Sequence, residues 1–135
     1  MEIAIYADIN NIYSALQSKY KRKLDYQKYM DFIKPMGKIV TAHAYGTCIG
    51  HEARAFIAHL RRAGFKTHFK DPKKGTWDVQ MTLDLMQCKA DLAVLGSSSL
   101  LTTPVLDAVT CKTLIFACNI ASNHKTIEIP ESLLE

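Results

Sequence analysis

Carboxylate, amide and hydroxyl side chains stand at the ends of apolar runs in this chain, where they could act on a phosphate or a metal ion. Asp8 closes the apolar run at residues 3–8 (IAIYAD) and directly precedes a helical pattern. A carboxylate there either ligates a metal or caps the helix N-terminus. Asn11, three residues on, either orients a water or phosphate oxygen or fills an ordinary place in a first helical turn. Lys73-Lys74-Gly75-Thr76-Trp77-Asp78 brings a second carboxylate to a helix start, behind two cations and a glycine. The macrodipole favours Asp in a first turn even without a ligand. Asp84 follows about 120° further around that helix, on a stripe with Gln80 and Gln87 that predicts an exposed polar face. Gly96-Ser97-Ser98-Ser99 joins an apolar strand to a helix. Its hydroxyls and backbone N–H groups suit either a phosphate or a plain serine cap.

Several other chemistries lack their residues. There is no GxGxxG and no GxxxxGKS/T, so nucleotide-fold phosphate loops are absent, and no GxSxG elbow offers a serine nucleophile. His43, His51, His59, His68 and His124 show no HExxH or comparable pair and are read as structural or surface histidines. Cys48, Cys88, Cys111 and Cys118 contain no C-x-x-C pair, which predicts reduced, mostly buried thiols.

Charge is divided unevenly. Residues 1–74 carry 14 Lys and Arg against 6 Asp and Glu, while residues 75–135 carry 3 against 7. A basic half beside an acidic half suggests a polyanion-binding surface next to a site for a cation. The basic residues fall into three clusters: Lys19, Lys21, Arg22 and Lys23; Arg54, Arg61 and Arg62; and Lys66, Lys70, Lys73 and Lys74. Arg54 and Arg61 are one heptad apart and share a helix face. Each cluster alone is ordinary solvated surface. With Tyr20, Tyr26, His68 and Trp77 interleaved, they sketch a track for single-stranded nucleic acid.

The elements that must position these residues alternate between strand and helix. Strands are expected at residues 3–8, 38–45, 65–70, 92–95, 113–118 and 126–129, and helices around 12–16, 26–33, 51–63, 78–89 and 99–109. Alternation of Phe65, Thr67 and Phe69 with Lys66, His68 and Lys70 predicts a sheet edge, whereas LAVL and TLIFAC are apolar throughout and belong nearer the middle. Such an order calls for an α/β three-layer sandwich around a mostly parallel sheet, with ligands bound beyond the carboxyl ends of the strands. The length of 135 residues, with 48% hydrophobic and 22% charged residues, fits one domain over residues 1–135. No apolar run is long enough to span a bilayer, and Glu2 and Asp8 stand where a secretory leader would be basic, so a cytoplasmic protein is expected.

Three segments in order, Tyr6-Ala7-Asp8-Ile9-Asn10-Asn11, then Lys74-Gly75-Thr76-Trp77-Asp78-Val79 through Leu83-Asp84, then Leu95-Gly96-Ser97-Ser98-Ser99-Leu100, resemble the NYN domain, a branch of the PIN-like nucleases. The resemblance covers nearly the whole chain. It implies a sheet of order 3-2-1-4-5, an acidic cleft holding Mg²⁺ or Mn²⁺, and hydrolysis of RNA phosphodiesters. Its catalytic set falls on Asp8, Asn11, Asp78, Asp84, Ser97 and Ser99, with Asp8 and Asp78 as metal ligands and Asp84 as an outer carboxylate. RNA, single-stranded or structured, would lie on Arg54, Arg61, Lys70, Lys73 and Lys74. One departure stands out: the family's usual S-G-D-S-D-F has lost two carboxylates to Ser97 and Ser99. The expectation is an endoribonuclease with a depleted acidic site, and the alternative is an inactive NYN-fold module that binds RNA or protein. A small-molecule phosphate binder at residues 96–99 ranks third. Oligomeric state is left open, with a homo-oligomer allowed.

Overall fold

Five apolar or aromatic residues in succession, Ile3–Ala7, form the middle of β1 (Glu2–Asp8), and every residue after Glu2 is buried, which requires cover on both faces of the sheet. The structure, a computed structural model, describes residues 1–47, 50–71, 78–98, 102–118 and 125–135, with the backbone alone at 50–52, 78 and 102–104. After β1 come α1 (Ile9–Lys19), α2 (Tyr26–Ile33), a 3₁₀ turn Lys34–Met36, β2 (Lys38–Thr47), α3 (Gly50–Arg62) and β3 (Lys66–Lys70). There follow α4 (Asp78–Met86), β4 (Leu92–Gly96), α5 (Thr102–Ala108), β5 (Lys112–Ala117), β6 (Thr126–Glu128) and a 3₁₀ turn Glu131–Leu133. Boundaries agree with the sequence pattern to within a few residues. The last helical turn expected near Lys89 is missing from α4, and residues 99–101 of the expected fifth helix lie outside the described residues.

All six strands are parallel, in the order β3-β2-β1-β4-β5-β6. The sixth strand extends the expected five-strand order, and β3 is an edge as its alternation predicts. Exposed Lys66 and Lys70 line that edge, where charge discourages further strand pairing. One face packs Ile3, Ile5 and Ala7 against Ile12, Leu16, Tyr29, Ile33 and Leu60 of α1, α2 and α3. The other packs Ala4, Tyr6, Tyr45 and Leu95 against Met81, Leu85 and Leu106 of α4 and α5. The result is a three-layer α/β sandwich.

Two local devices fix the frame. Gly64 ends α3 at φ 107, where its N–H donates to the Arg61 carbonyl and that of Phe65 to Leu60, a left-handed cap that favours glycine. At the other end of the sequence, Leu24 and Leu134 form an antiparallel bridge. The Glu135 N–H donates to the Lys23 carbonyl at 2.8 Å, the Asp25 N–H to Leu133 at 2.9 Å, and Arg22 Nε to the Glu135 carbonyl at 2.9 Å. Among the described residues, Cys88 and Cys118 are buried thiols and Cys111 is half-buried, as expected. Burial, aided by neighbouring Cys88, pushes the Cys111 thiol up to about 11, so it stays protonated and unreactive at neutral pH.

Candidate functional site

Strand order reverses between β1 and β4, since the chain runs outward from β1 through β2 to β3 and then returns to build β4, β5 and β6 on the other side. The carboxyl ends of the strands at such a reversal form the ligand crevice of open α/β sheets. Asp8 lies there, only 9% exposed. Its Oδ1 accepts the Asn11 N–H at 3.1 Å, so the helix cap, one of the two roles its position allows, is present. Asn11 Oδ1 accepts the Ser98 N–H at 2.8 Å and the Ser98 hydroxyl at 3.1 Å, tying the end of β1 to the end of β4. Asn10 does the same towards β2: its Nδ2 donates to Thr47 Oγ1 at 3.0 Å, and its Oδ1 accepts the Thr47 N–H at 3.4 Å. Two consecutive asparagines thus lace three neighbouring strand ends together.

Ser97, directly after β4, is 1% exposed. Gly96 beneath it allows a close approach of layers, since a Cβ there would stand 3.0 Å from Ile12 Cδ1, 3.1 Å from Tyr29 Oη and 3.2 Å from Ala7 Cα. Gly96→Ala is therefore expected to destabilise the fold by about 1–3 kcal/mol through overpacking, read as a lower urea midpoint at unchanged slope. Asp78 begins α4 as expected, while Ser99, Lys73 and Lys74 lie outside the described residues. Arg54 and Arg61 are exposed on α3 and Lys70 at the end of β3; Arg61 Nε also donates to Thr67 Oγ1 at 3.1 Å. The oxygen donors described around Asp8 (carboxylate, amide and hydroxyl) suit a hard cation such as Mg²⁺ or Mn²⁺.

Asp84 departs from expectation. Gln87 is exposed as its stripe predicts, but Asp84 is half-buried, because α4 crosses the sheet on its way from β3 to β4 and meets Tyr45. The Tyr45 hydroxyl donates to Asp84 Oδ2 at 2.7 Å, and Gln80 Nε2 donates to Oδ1 at 2.8 Å. Burial first, and then this bond to a carboxylate, holds the Tyr45 phenol far above its usual range.

Two histidines also prove to be neighbours. Thr41, His43 and Tyr45 share one face of β2, and parallel pairing sets His43 opposite Lys66 and Tyr45 opposite His68. The Tyr45 and His68 rings stack at 4.8 Å, and Tyr6 stacks on His43 at 5.5 Å. His43 Nδ1 lies 2.9 Å from His68 Nε2, and the donor atoms of His43, His68 and Asp84 all fall within 4.8 Å of one another. Of the two readings open for these histidines, structural or surface, His43 and His68 take the structural one. Alternation within each strand shows which residues share a face; only the register between strands brings the rings together.

Burial holds His43 below the ordinary imidazole range, reinforced by His68 and Lys66 and opposed by Asp84. The unfolded chain therefore takes up that proton more readily than the native one, and this contribution to stability is lost as pH falls below about 6.5. In chelator-treated buffer the melting temperature should drop between about pH 7 and pH 5, and His43→Gln should flatten that part of the profile.

A parallel α/β sandwich with oxygen donors laced across the strand ends at its reversal defines an open α/β protein with its ligand crevice at the topological switch point. The family model of the NYN domain matches residues 2–121, and the chain belongs to the NYN domain family. The crystal structure of a protein of unknown function from Vibrio parahaemolyticus is similar to it, with a TM-score of 0.85 and 24% identity over 99% of this chain and 96% of that one. That likeness bears on the fold alone. No curated protein sequence matches.

Proposed function

We propose that this NYN domain hydrolyses RNA phosphodiester bonds as a metal-dependent endoribonuclease with a reduced acidic site, acting as one domain in the cytoplasm. The observation that carries the reading is buried Asp8 at the sheet reversal, joined through Asn11 to the loop after β4. Asp8 and Asp78 would hold Mg²⁺ or Mn²⁺, which when bound polarises the scissile phosphate and acidifies a water. Asn11 fixes the loop carrying Ser97 and Ser98, so that Ser97 and Ser99 can position the attacking water or a phosphate oxygen. Asp84, engaged by Tyr45 and Gln80, supplies outer negative charge. Arg54, Arg61, Lys70, Lys73 and Lys74 draw in the strand, giving binding that weakens steeply with salt. Among the described residues no helix is long and apolar enough to cross a membrane.

Cleavage of end-labelled single-stranded and structured RNA tests the reading. Cutting is expected with Mn²⁺ or Mg²⁺ and none with EDTA, and Asp at both position 97 and position 99 should speed it. The buried hydroxyl of Ser97 in place of the family's carboxylate favours a second reading, an inactive module that binds RNA. RNA bound equally well with and without EDTA, and cut under neither condition, would establish that second reading.

A further inference from the structure

We propose that His43, His68 and Asp84 form a second metal site, for one transition-metal ion of the Zn²⁺ class, on the face of β2 and β3 that α4 overhangs, sharing with the strand-end site only the outer carboxylate of Asp84. Three elements each supply one donor, and two of them are paired strands, which hold ring positions more firmly than loops do. The donor atoms already lie within 4.8 Å of one another. Zn–N bonds of about 2.0–2.1 Å in a tetrahedral site place neighbouring ligand atoms about 3.3 Å apart. His43 Nδ1 and His68 Nε2 stand at 2.9 Å, so the rings need to part by only a few tenths of an ångström.

The surroundings are those of ligands rather than of chance neighbours. His43 Nε2 lies 2.9 Å from Thr41 Oγ1. With Nδ1 given to an ion, Nε2 carries the proton and donates to that hydroxyl, the outer contact that fixes tautomer and ring orientation at metal sites. Both Asp84 oxygens are held, by Tyr45 and Gln80, yet a carboxylate oxygen accepting one hydrogen bond keeps a lone pair for a metal. Two imidazoles and one carboxylate suit Zn²⁺ or Co²⁺ over Mg²⁺, and three protein ligands leave a fourth position for water or an exogenous donor. Lys66 on the same face opposes a cation, but it is exposed and its ammonium can extend into solvent.

The strand-end site draws on other ligands, Asp8 and Asp78, and Asp8→Asn tells the two apart. Asp8, Tyr45 and His68 are register partners across three strands, so the backbones of Asp8 and His68 are about two strand spacings apart, about 10 Å.

Without an ion, the same pair is a hydrogen bond from one imidazole to the other, and metal titration separates the two states. Apo protein titrated with Co²⁺ should develop the absorption of a tetrahedral nitrogen and oxygen site saturating at one ion per chain, displaced by Zn²⁺ and untouched by Mg²⁺. His68→Gln should weaken binding more than a hundredfold and Thr41→Val about tenfold, in keeping with the smaller cost of outer contacts, while Asp8→Asn leaves it intact. Should His68→Gln fail to fold, imidazole NMR of the unaltered protein serves instead: Zn²⁺ must shift the His43 and His68 ring signals together. No saturable binding, binding indifferent to His68→Gln, a thiolate-to-cobalt charge-transfer band, or loss in Asp8→Asn instead would overturn the proposal. The RNase assay does not enter this test, so either reading can fail without the other.

Discussion

Asp8→Asn should lower metal-dependent RNA cleavage by about a hundredfold or more while leaving the melting temperature almost unchanged. The two halves of that result have different origins in one side chain. Asp8 caps α1 by accepting the Asn11 N–H, and Asn caps a helix about as well as Asp, so the fold keeps its bond. What disappears is the charge. A metal ion contributes several kcal/mol of charge stabilisation to phosphoryl chemistry, and each 1.36 kcal/mol is about a factor of ten in rate. Asp8→Ala separates the roles from the other direction, because it should lose the activity and also about 1 kcal/mol of cap. Single-turnover cleavage at saturating Mn²⁺, beside thermal melts of the same preparations, checks both. A variant that still cuts at the original rate would remove Asp8 from the mechanism.

The largest effect on stability is expected at Phe116, where Phe116→Ala should cost about 3–5 kcal/mol. Its ring is fully buried in β5, stacked between Tyr29 at 4.5 Å and Phe32 at 4.8 Å. The Phe116 carbonyl also accepts the buried Tyr29 hydroxyl at 2.9 Å. Three aromatic rings therefore join α2 to β5 across the layer, and removing the middle one leaves a cavity that two flat neighbours on fixed elements fill poorly. Domains of this kind have about 5–15 kcal/mol in hand, so the variant would sit near the edge of folding. Urea denaturation followed by tyrosine fluorescence gives the number, and a cost below about 1 kcal/mol would mean the site collapses.

Much of the architecture was legible because apolar periodicity reports burial directly. The continuous runs of β1, β4 and β5 reveal strands covered on both faces, and the alternation of β3 reveals an edge. Asp8 and Asn11 were legible too, standing where a strand gives way to a helix. Strand β6 was visible as a segment, but three residues of mixed exposure say little about which neighbour they choose. The His43, His68 and Asp84 cluster was not legible at all. A pattern within one element cannot show its register against another, so nothing in the sequence sets Tyr45 opposite His68. Nor does helical periodicity tell which way a polar stripe turns. Gln80 and Asp84 do share a stripe, yet the Tyr45 hydroxyl beneath α4 gives a carboxylate a reason to face inward.

On a ribosome, Arg22 is made 113 residues before the Glu135 whose carbonyl it holds. At about 5–20 residues per second, the nascent chain waits roughly 6 to 23 s before that partner exists. During the wait the connection between the first two helices lacks its closing bridge, and Leu24 and Tyr26, buried in the finished protein, are incompletely covered. The centre of the sheet is equally late, since β1 emerges first but needs β4 beside it. Folding of this chain is thus completed only after most of it has been translated, although its first strand is among the first residues made.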